Sequence, residues 1–598
     1  MNNFINKAID RLCLFLYFII ISFPIFQIMS RYIDFFSIPA SQEIVQHMTL
    51  WIGFVGAVIA ARSNKLLSVV REPVFKSSDS NTLPQFLVHA FSVAIVFILS
   101  ISYLKMIQIG IQYPEYIAPY VTTWFAQSII PVGLILIWYQ MIVTSSTDLK
   151  YRILLVIFSI ISSLILYYWQ FPFTNSFLLW TKVISALTLV AFGLPIFVLL
   201  SSLSIFFFLS EPTDWATNFD LISTISDSAY RIVVSPTLAA IPIFTLAGYI
   251  LAESNISKRL INFFKASVGW VPGATVLIVV LLCAFFTALT GGSGVTILAL
   301  GAILYPILIH DGYSEKFSLG IITTAGSLGL LFPPSLPAII YSVTAGINPL
   351  ELFRQAFVPA IFLMSIMFFY GLYKKPKTSK KEKFIFKEAV SATNIAKWEI
   401  AVPILIILSL FTGFATLVES AALLVLYVLM VEVIIFKDIS FKDIPGIIIN
   451  CSTLVGGVLI ILGFAMGFTG YLVDAQIPLK ILNFVQNTIT SKIIFLLALN
   501  VLLLIIGCLM DVFSAIIVVV PLIAPLAIYF GIDPFHLAII FIANLELGYI
   551  TPPVGMNLYL SSYRFEKSMP TIYSATLPFF FIRLIGVLFI TYIPLFFY

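Results

Sequence analysis

Leu328-Gly-Leu-Leu-Phe-Pro-Pro-Ser-Leu-Pro337 lies in the middle of the chain, and Leu547-Gly-Tyr-Ile-Thr-Pro-Pro-Val-Gly-Met556 lies near its end. Each places a glycine and then a Pro-Pro pair in the centre of a long apolar run. Lipid offers the backbone no replacement hydrogen bonds, so a helix crossing it should be unbroken there. Proline removes a donor and clashes with the carbonyl one turn back. Both runs therefore read as broken helices. A break at membrane depth is tolerated only where it is buried in protein or lines a cavity. In corresponding positions of two halves, such breaks point to a transporter's binding site.

The 598 residues are 61% hydrophobic and only 10% charged, with a mean hydropathy of +1.08. A soluble domain is about a quarter charged, so this is an all-α polytopic membrane protein. The net charge of +5 is small and sits in loops, which suits cytoplasmic anchoring and not nucleic-acid binding. Cys13, Cys283, Cys451 and Cys508 fall in apolar runs without short spacing, so neither a disulfide framework nor a transition-metal site is indicated. His47, His89, His310 and His536 are scattered and read as boundary or core residues. There is no Gly-x4-Gly-Lys-Ser/Thr, which excludes ATP hydrolysis in the P-loop manner. No reactive nucleophile or metal cluster is evident, so neither an enzyme nor a cofactor is expected.

Apolar runs at residues 12–29, 47–61, 87–106 and 126–144 predict a four-helix N-terminal unit over 1–150, and 153–169 predicts a connecting helix within 151–179. The first run follows Lys7 and Arg11 but lacks a small-residue cleavage site, so it reads as a retained span. Arg62, Lys65, Arg71 and Lys76, then Lys150 and Arg152, mark the cytoplasmic side. From residue 180 to 598 the chain is longer, richer in Gly and Pro, and repeated. The run 268–309 is interrupted by Leu289-Thr-Gly-Gly-Ser-Gly294, which suits either two full spans or a re-entrant hairpin. Seven lysines between 374 and 387 make 374–397 a basic cytoplasmic linker between repeats at about 180–373 and 398–598.

An offset of 219 carries Pro333 onto Pro552, Pro306 onto Pro525 and Gly329 onto Gly548. It also brings the polar break at Gly291–Gly294 onto Met510-Asp-Val-Phe-Ser514. The orientation of the repeats stays open. Counting spans from Arg152 puts Lys258-Arg259 outside, whereas charge bias puts it inside.

Ala240-Ile-Pro-Ile-Phe-Thr-Leu-Ala-Gly248, Gly326-Ser-Leu-Gly-Leu-Leu-Phe-Pro-Pro-Ser-Leu-Pro337 and Asn544-Leu-Glu-Leu-Gly-Tyr-Ile-Thr-Pro-Pro-Val-Gly-Met-Asn557 resemble the large subunit of the tripartite ATP-independent periplasmic (TRAP) transporters. Trp51-Ile-Gly-Phe-Val-Gly-Ala-Val-Ile-Ala-Ala-Arg62 is similar to their small subunit. The resemblance implies a natural fusion of the two in the bacterial inner membrane. It implies an elevator-type transport domain with two re-entrant hairpins and two broken helices. It further implies sodium-coupled import of an organic carboxylate delivered by a periplasmic substrate-binding protein. Sialic acid is the expected cargo because fused forms often serve that class, with C4-dicarboxylates left open. The rival is a self-sufficient sodium–dicarboxylate carrier. One departure is Ala415-Thr-Leu-Val-Glu-Ser-Ala421, which lacks the proline often found in the family.

Unwound backbone frees carbonyls for a small cation, and half-helix N-termini face an anion. Sodium takes oxygen ligands. The candidates are Thr287 and Thr290 by side chain, with Gly329, Phe332 and Pro334 by carbonyl, and in the second half Gly507, Gly548 and Val554 by carbonyl and Thr551 by hydroxyl. The resemblance implies sodium at these positions; spacing alone does not tell sodium from protons. Among the embedded acids Glu419, Asp511 and Glu546, Asp511 sits at the second tip and is expected in ion coupling. Glu546 is expected there or as a brace of the broken helix. Candidate substrate contacts are Ser293, Gly294, Pro333, Pro552 and Arg231, though the preferred reading of the last is a cation snorkelling to the interface.

Overall fold

A computed structural model describes residues 2–31, 40–67, 83–118, 121–168, 180–181, 183–184, 188, 193–210, 217–376, 384–489, 491–552 and 555–596. Val554, linker residues 377–383 and positions 169–179 of the connecting segment lie outside them. Apolar runs can satisfy their own backbone in lipid only as helices. Among the described residues thirteen helices are long and apolar enough to cross a membrane. The departure from helix is a short antiparallel pair, Tyr116–Ala118 with Val121–Thr122.

The chain divides into two units. The first comprises Met1–Pro242 and Ile448–Pro478, and so includes chain from both sides of residues 151–179. Its N-terminal runs form helices Asn2–Ser30, Ser41–Arg62, Leu83–Gln112, Ile129–Ser145 and Leu149–Tyr168. Within this unit, Ser41–Arg62 crosses the helix Ile444–Asp474 at two glycines. A Cβ on Gly56 would lie 2.3 Å from the Ser452 carbonyl, and one on Gly456 only 2.2 Å from the Ala57 nitrogen. Cys13 Sγ approaches Ser452 Oγ at 2.9 Å beside that crossing. His47 and His89 each meet a tyrosine hydroxyl at 3.0 Å, from Tyr230 and Tyr151 respectively. They are satisfied core and boundary histidines.

The second unit comprises Ile243–Ile447 and Leu479–Tyr598. The run read as two spans or a hairpin forms helices Ala274–Thr290 and Ser293–His310, packed together across Gly291. Gly291 has φ +68°, a left-handed conformation in which glycine avoids the Cβ clash. The second hairpin is Lys492–Leu509 and Val512–Tyr529. Arms of 17 or 18 residues are about 26 Å long, slightly short of the ~30 Å hydrocarbon core. The first broken helix runs Glu315–Leu331, bends by 44°, and resumes over Leu336–Ala345. The second runs Pro534–Gly548 and resumes at Met556–Phe565.

Helix Pro349–Tyr373 serves as a ruler for the repeats. The open end of the first hairpin, at Gly273 and His310, shares a cavity with Lys375, just beyond the ruler's C-terminus. The open end of the second, at Lys492 and Gly531, shares a cavity with Gln355, Val358 and Phe362, toward its N-terminus. About a dozen residues, or about 20 Å of helix, separate these markers. The hairpins thus enter the unit from opposite ends, and the repeats are inverted. Each hairpin's second arm packs on the resumed half of the other repeat's broken helix: Ser293–His310 on Met556–Phe565, and Val512–Tyr529 on Leu336–Ala345.

The conflict over Lys258-Arg259 also resolves within this unit. Their amphipathic helix, Ile256–Val268, places Ile261 and Lys265 in the cavity that holds Lys375. It therefore ends where the basic linker begins, as charge bias expects. Arg259 pairs with Glu399, Glu432 (2.9 Å) and Asp438 (2.6 Å), and its guanidinium lies 3.8 Å over the Phe436 ring. Burial pushes the Asp438 carboxyl up, but Arg259 and the Asn255 amide more than offset this and hold it low.

Candidate functional site

All the hairpin-tip and helix-break candidates lie in the second unit. Thr287 is fully buried near the first tip. Its hydroxyl donates to the Gly326 carbonyl at 2.7 Å and pairs with Thr296 Oγ1 at 2.6 Å. Thr290 donates to the Phe286 carbonyl at 2.8 Å. Gly329 packs directly on this arm, where a Cβ would lie 2.3 Å from the Ala284 carbonyl and 2.6 Å from Thr287 Cβ. The second copy repeats the crossing with glycine on both sides: a Cβ on Gly548 would meet the Gly507 carbonyl carbon at 2.6 Å. These four candidates thus form two arm-to-break contacts, Thr287 with Gly329 and Gly507 with Gly548. Close helix packing is part of what the glycines do.

At the breaks, the Gly329 carbonyl accepts from Phe332 N–H at 3.1 Å and the Gly548 carbonyl from Thr551 N–H at 2.9 Å. Each carbonyl has a second lone pair. Pro334 is buried, Phe332 and Pro333 are half-buried, and the Pro333–Pro334 bond is cis. Thr551 donates its hydroxyl to the Leu547 carbonyl at 2.9 Å, and Pro552 is exposed.

Asp511 is the N-cap of Val512–Tyr529. It accepts from the amides of Phe513 (3.0 Å) and Ser514 (3.2 Å) and from the Ser514 hydroxyl. A carboxylate has about four lone-pair sites, so one remains beyond these three donors. The tip is held to the break by Val512 N–H, which donates to the Tyr549 hydroxyl. Ser293 donates to Asn557 Oδ1 at 2.7 Å, and Asn557 Nδ2 donates onward to the Thr323 carbonyl at 3.2 Å. The first tip is thereby tied to both broken helices. A Cβ on neighbouring Gly294 would meet Leu560 Cδ1 at 2.4 Å. Arg231 belongs to the first unit, where its side chain is 78% exposed and paired with Asp227 at 2.7 Å.

Glu546 and Glu419 are both engaged structurally. Glu419 closes a capping box with Thr416, accepting from its amide at 2.8 Å. The box starts the helix Leu417–Leu429 without the proline. Glu546 pairs with Arg583, and both side chains are 0% exposed. Arg583 also donates to Ser327 Oγ at 2.8 Å and to the Thr324 carbonyl at 3.4 Å. Ser327 and Glu546 are equivalent under the 219-residue offset. One arginine from the last helix, Met569–Tyr592, therefore pins the two breaks together. Sequence reasoning missed Arg583, Asn557 and Tyr549. A lone arginine inside an apolar run was the available signal for the first.

Two inverted repeats, each with a hairpin tip against a broken helix, define the class: a helical membrane transporter with its site between the repeats. Residues 183–596 match the family described as "Tripartite ATP-independent periplasmic transporter, DctM component", and residues 20–151 match "Tripartite ATP-independent periplasmic transporters, DctQ component". The chain belongs to the TRAP transporter family as a fused small and large permease. It is a multi-pass inner-membrane protein of a non-enzymatic class, and the family works with a periplasmic binding protein.

The C4-dicarboxylate TRAP transporter large permease protein DctM of Pseudomonas aeruginosa is 32% identical over 60% of this chain and 84% of its own. Its Vibrio cholerae namesake is 30% identical over 67% of this chain and 92% of its own. The isethionate TRAP transporter permease protein DctMQ of Oleidesulfovibrio alaskensis is 30% identical over 62% and 59% respectively. A solved structure of the Alcanivorax borkumensis YdaH transporter aligns with a TM-score of 0.48 at 14% identity, over 69% of this chain and 97% of that one.

Proposed function

We propose that this permease imports an organic carboxylate by sodium symport, accepting it from a periplasmic binding protein. The observation that carries the reading is the inverted pair of hairpin tips, each set against a helix break lined by oxygen donors (Thr287, Gly329 and, opposite, Asp511, Gly548, Thr551). Such donors suit a hard monovalent cation. Thr290 and Thr551 donate their protons to carbonyls, which leaves their oxygen lone pairs for an ion, and Thr287 donates to the Gly326 carbonyl and accepts from the Thr296 hydroxyl, which leaves it one. Carriage proceeds as an elevator, with hairpins and broken helices moving together. Relatives named for C4-dicarboxylates favour a short dicarboxylate over sialic acid.

Uptake of labelled succinate and of sialic acid into proteoliposomes, with and without the cognate binding protein, tests the reading. Sodium-dependent uptake of one acid that requires the binding protein is expected. Uptake without any soluble component supports the self-sufficient carrier instead, and uptake unaffected by replacing sodium with potassium removes the coupling. Asp511→Asn keeps an N-cap acceptor while deleting the charge, and is expected to weaken sodium dependence. Unchanged sodium dependence removes Asp511 from the site.

A further inference from the structure

The open end of the second hairpin holds a cavity of about 590 Å³, bounded by Pro349–Tyr373, the start of the second broken helix and the end of Met569–Tyr592. It lies away from both tips and both breaks. Its volume is that of about twenty waters, several times what a free phosphate fills. The lining is layered. Lys492, Gly531 and Asp533 stand at the base of the hairpin. Along each bounding helix the lining residue nearer the middle of the membrane is apolar: Ile539 follows Asp533, Phe362 follows Val358, and Phe589 precedes Ile593. From Asp533 to Ile539 is about 9 Å of helix, more than half the ~15 Å hydrocarbon depth of one leaflet. Val358 is 72% exposed, and Phe589 and Ile593 are exposed beside it. Both of their helices are long and apolar enough to cross a membrane, so the cavity opens sideways onto lipid. A polar mouth over an apolar slot has the shape of a phospholipid: headgroup first, acyl chain below.

The mouth also says which headgroup. His536 is tied through Nε2 to the Ile590 carbonyl at 2.9 Å, so the fixed charges in the lining are Lys492 and Asp533. Lys492 donates to the Gly531 carbonyl at 2.8 Å. That spends one of its three N–H groups, and a neutral carbonyl leaves the ammonium charge in place. Asp533 takes both its cap bonds on Oδ1, from the Phe535 and His536 amides at 2.9 Å each, which leaves Oδ2 for a further donor. Among the described residues neither side chain has an ion-pair partner. One fixed cation and one fixed anion at a single mouth complement a zwitterion. A lipid phosphate suits Lys492, and a primary ammonium can donate to Asp533. A choline group has no N–H to give, and a glycerol headgroup has no positive charge.

We propose that this cavity seats a phosphatidylethanolamine from the leaflet opposite the basic linker, its phosphate on Lys492, its ammonium on Asp533 and one acyl chain in the slot, filling the gap between the second hairpin and Pro349–Tyr373. The full chain, purified in detergent and incubated with equimolar phosphatidylethanolamine, phosphatidylglycerol and phosphatidylcholine, would be weighed by native mass spectrometry. Retention of phosphatidylethanolamine about five-fold above either rival is expected, the scale of one solvent-touched charge contact. Asp533→Asn keeps an N-cap acceptor and should bring the three lipids to parity. Lys492→Gln should lower retention of all three. Equal retention by the unmodified chain overturns the proposal whether or not the variants assemble, and so does an Asp533→Asn chain that keeps the preference or a Lys492→Gln chain that retains lipid at the parent level. A chain that runs as a dimer and keeps no phospholipid overturns it in favour of a second copy on this face. In a thermal-shift arm, 10 mM free phosphoethanolamine that stabilises the delipidated chain as much as phosphatidylethanolamine does overturns the lipid in favour of a soluble zwitterion.

Discussion

Removing Arg583 should expose how strongly the two helix breaks depend on one another. Arg583 and Glu546 are both completely buried, and Arg583 alone also reaches Ser327 and Thr324 of the other repeat. Arg583→Met leaves the Glu546 carboxylate buried without its cation, which costs about 3–5 kcal/mol. Glu546→Leu leaves the guanidinium in the same position and costs a similar amount. The double variant removes both charges. It takes one donor each from the Ser327 hydroxyl and the Thr324 carbonyl, which still bond each other at 3.2 Å, so the loss there is about 1 kcal/mol. The double should therefore be less damaged than either single and fall short of their sum by more than about 3 kcal/mol. Sodium dodecyl sulfate titration of the chain in mild detergent, followed by circular dichroism, reads these energies. An additive double variant, or an Arg583→Met chain within about 1 kcal/mol of the parent, refutes the pin.

Gly548→Ala should destabilise by about 1–3 kcal/mol through overpacking, because its Cβ would stand 2.6 Å from Gly507. Gly446→Ala, which meets open space, should be neutral or slightly stabilising in the same thermal melt. In the first unit, burial pushes the Asp220 carboxyl up, but Lys105 and the Thr217 capping box more than offset it and leave it low. Its contribution is then present above the unfolded carboxylate range and lost as pH falls through the folded value. Asp220→Ala should cost about 1 kcal/mol near neutrality. That difference should shrink toward zero in melts below about pH 4.

Much of the site was legible because proline and glycine act locally. Pro333 and Pro552 break their helices whatever surrounds them, and the 219-residue offset is visible without coordinates. Asp511 at a polar tip was likewise readable. The partners were not. Asn557 meets Ser293 across 264 residues, and Arg583 meets Ser327 across 256. No periodicity encodes either contact. The apolar surroundings of Glu419 left an ion pathway and a fixed partner equally readable, and only the structure shows it capping a helix N-terminus.

By itself the sequence determined the membrane class, the repeat, the places where helices stop, and the basic end of the linker. Each follows from backbone hydrogen bonding in lipid or from charge bias, which depend on neighbours in sequence. Only the tertiary structure decided that the hairpins enter from opposite ends, that each hairpin's second arm packs on the other repeat, and that a single arginine joins Ser327 to Glu546. Those depend on which apolar faces pack together. Helices hydrophobic on every side leave that choice to shape and buried charge, not to pattern.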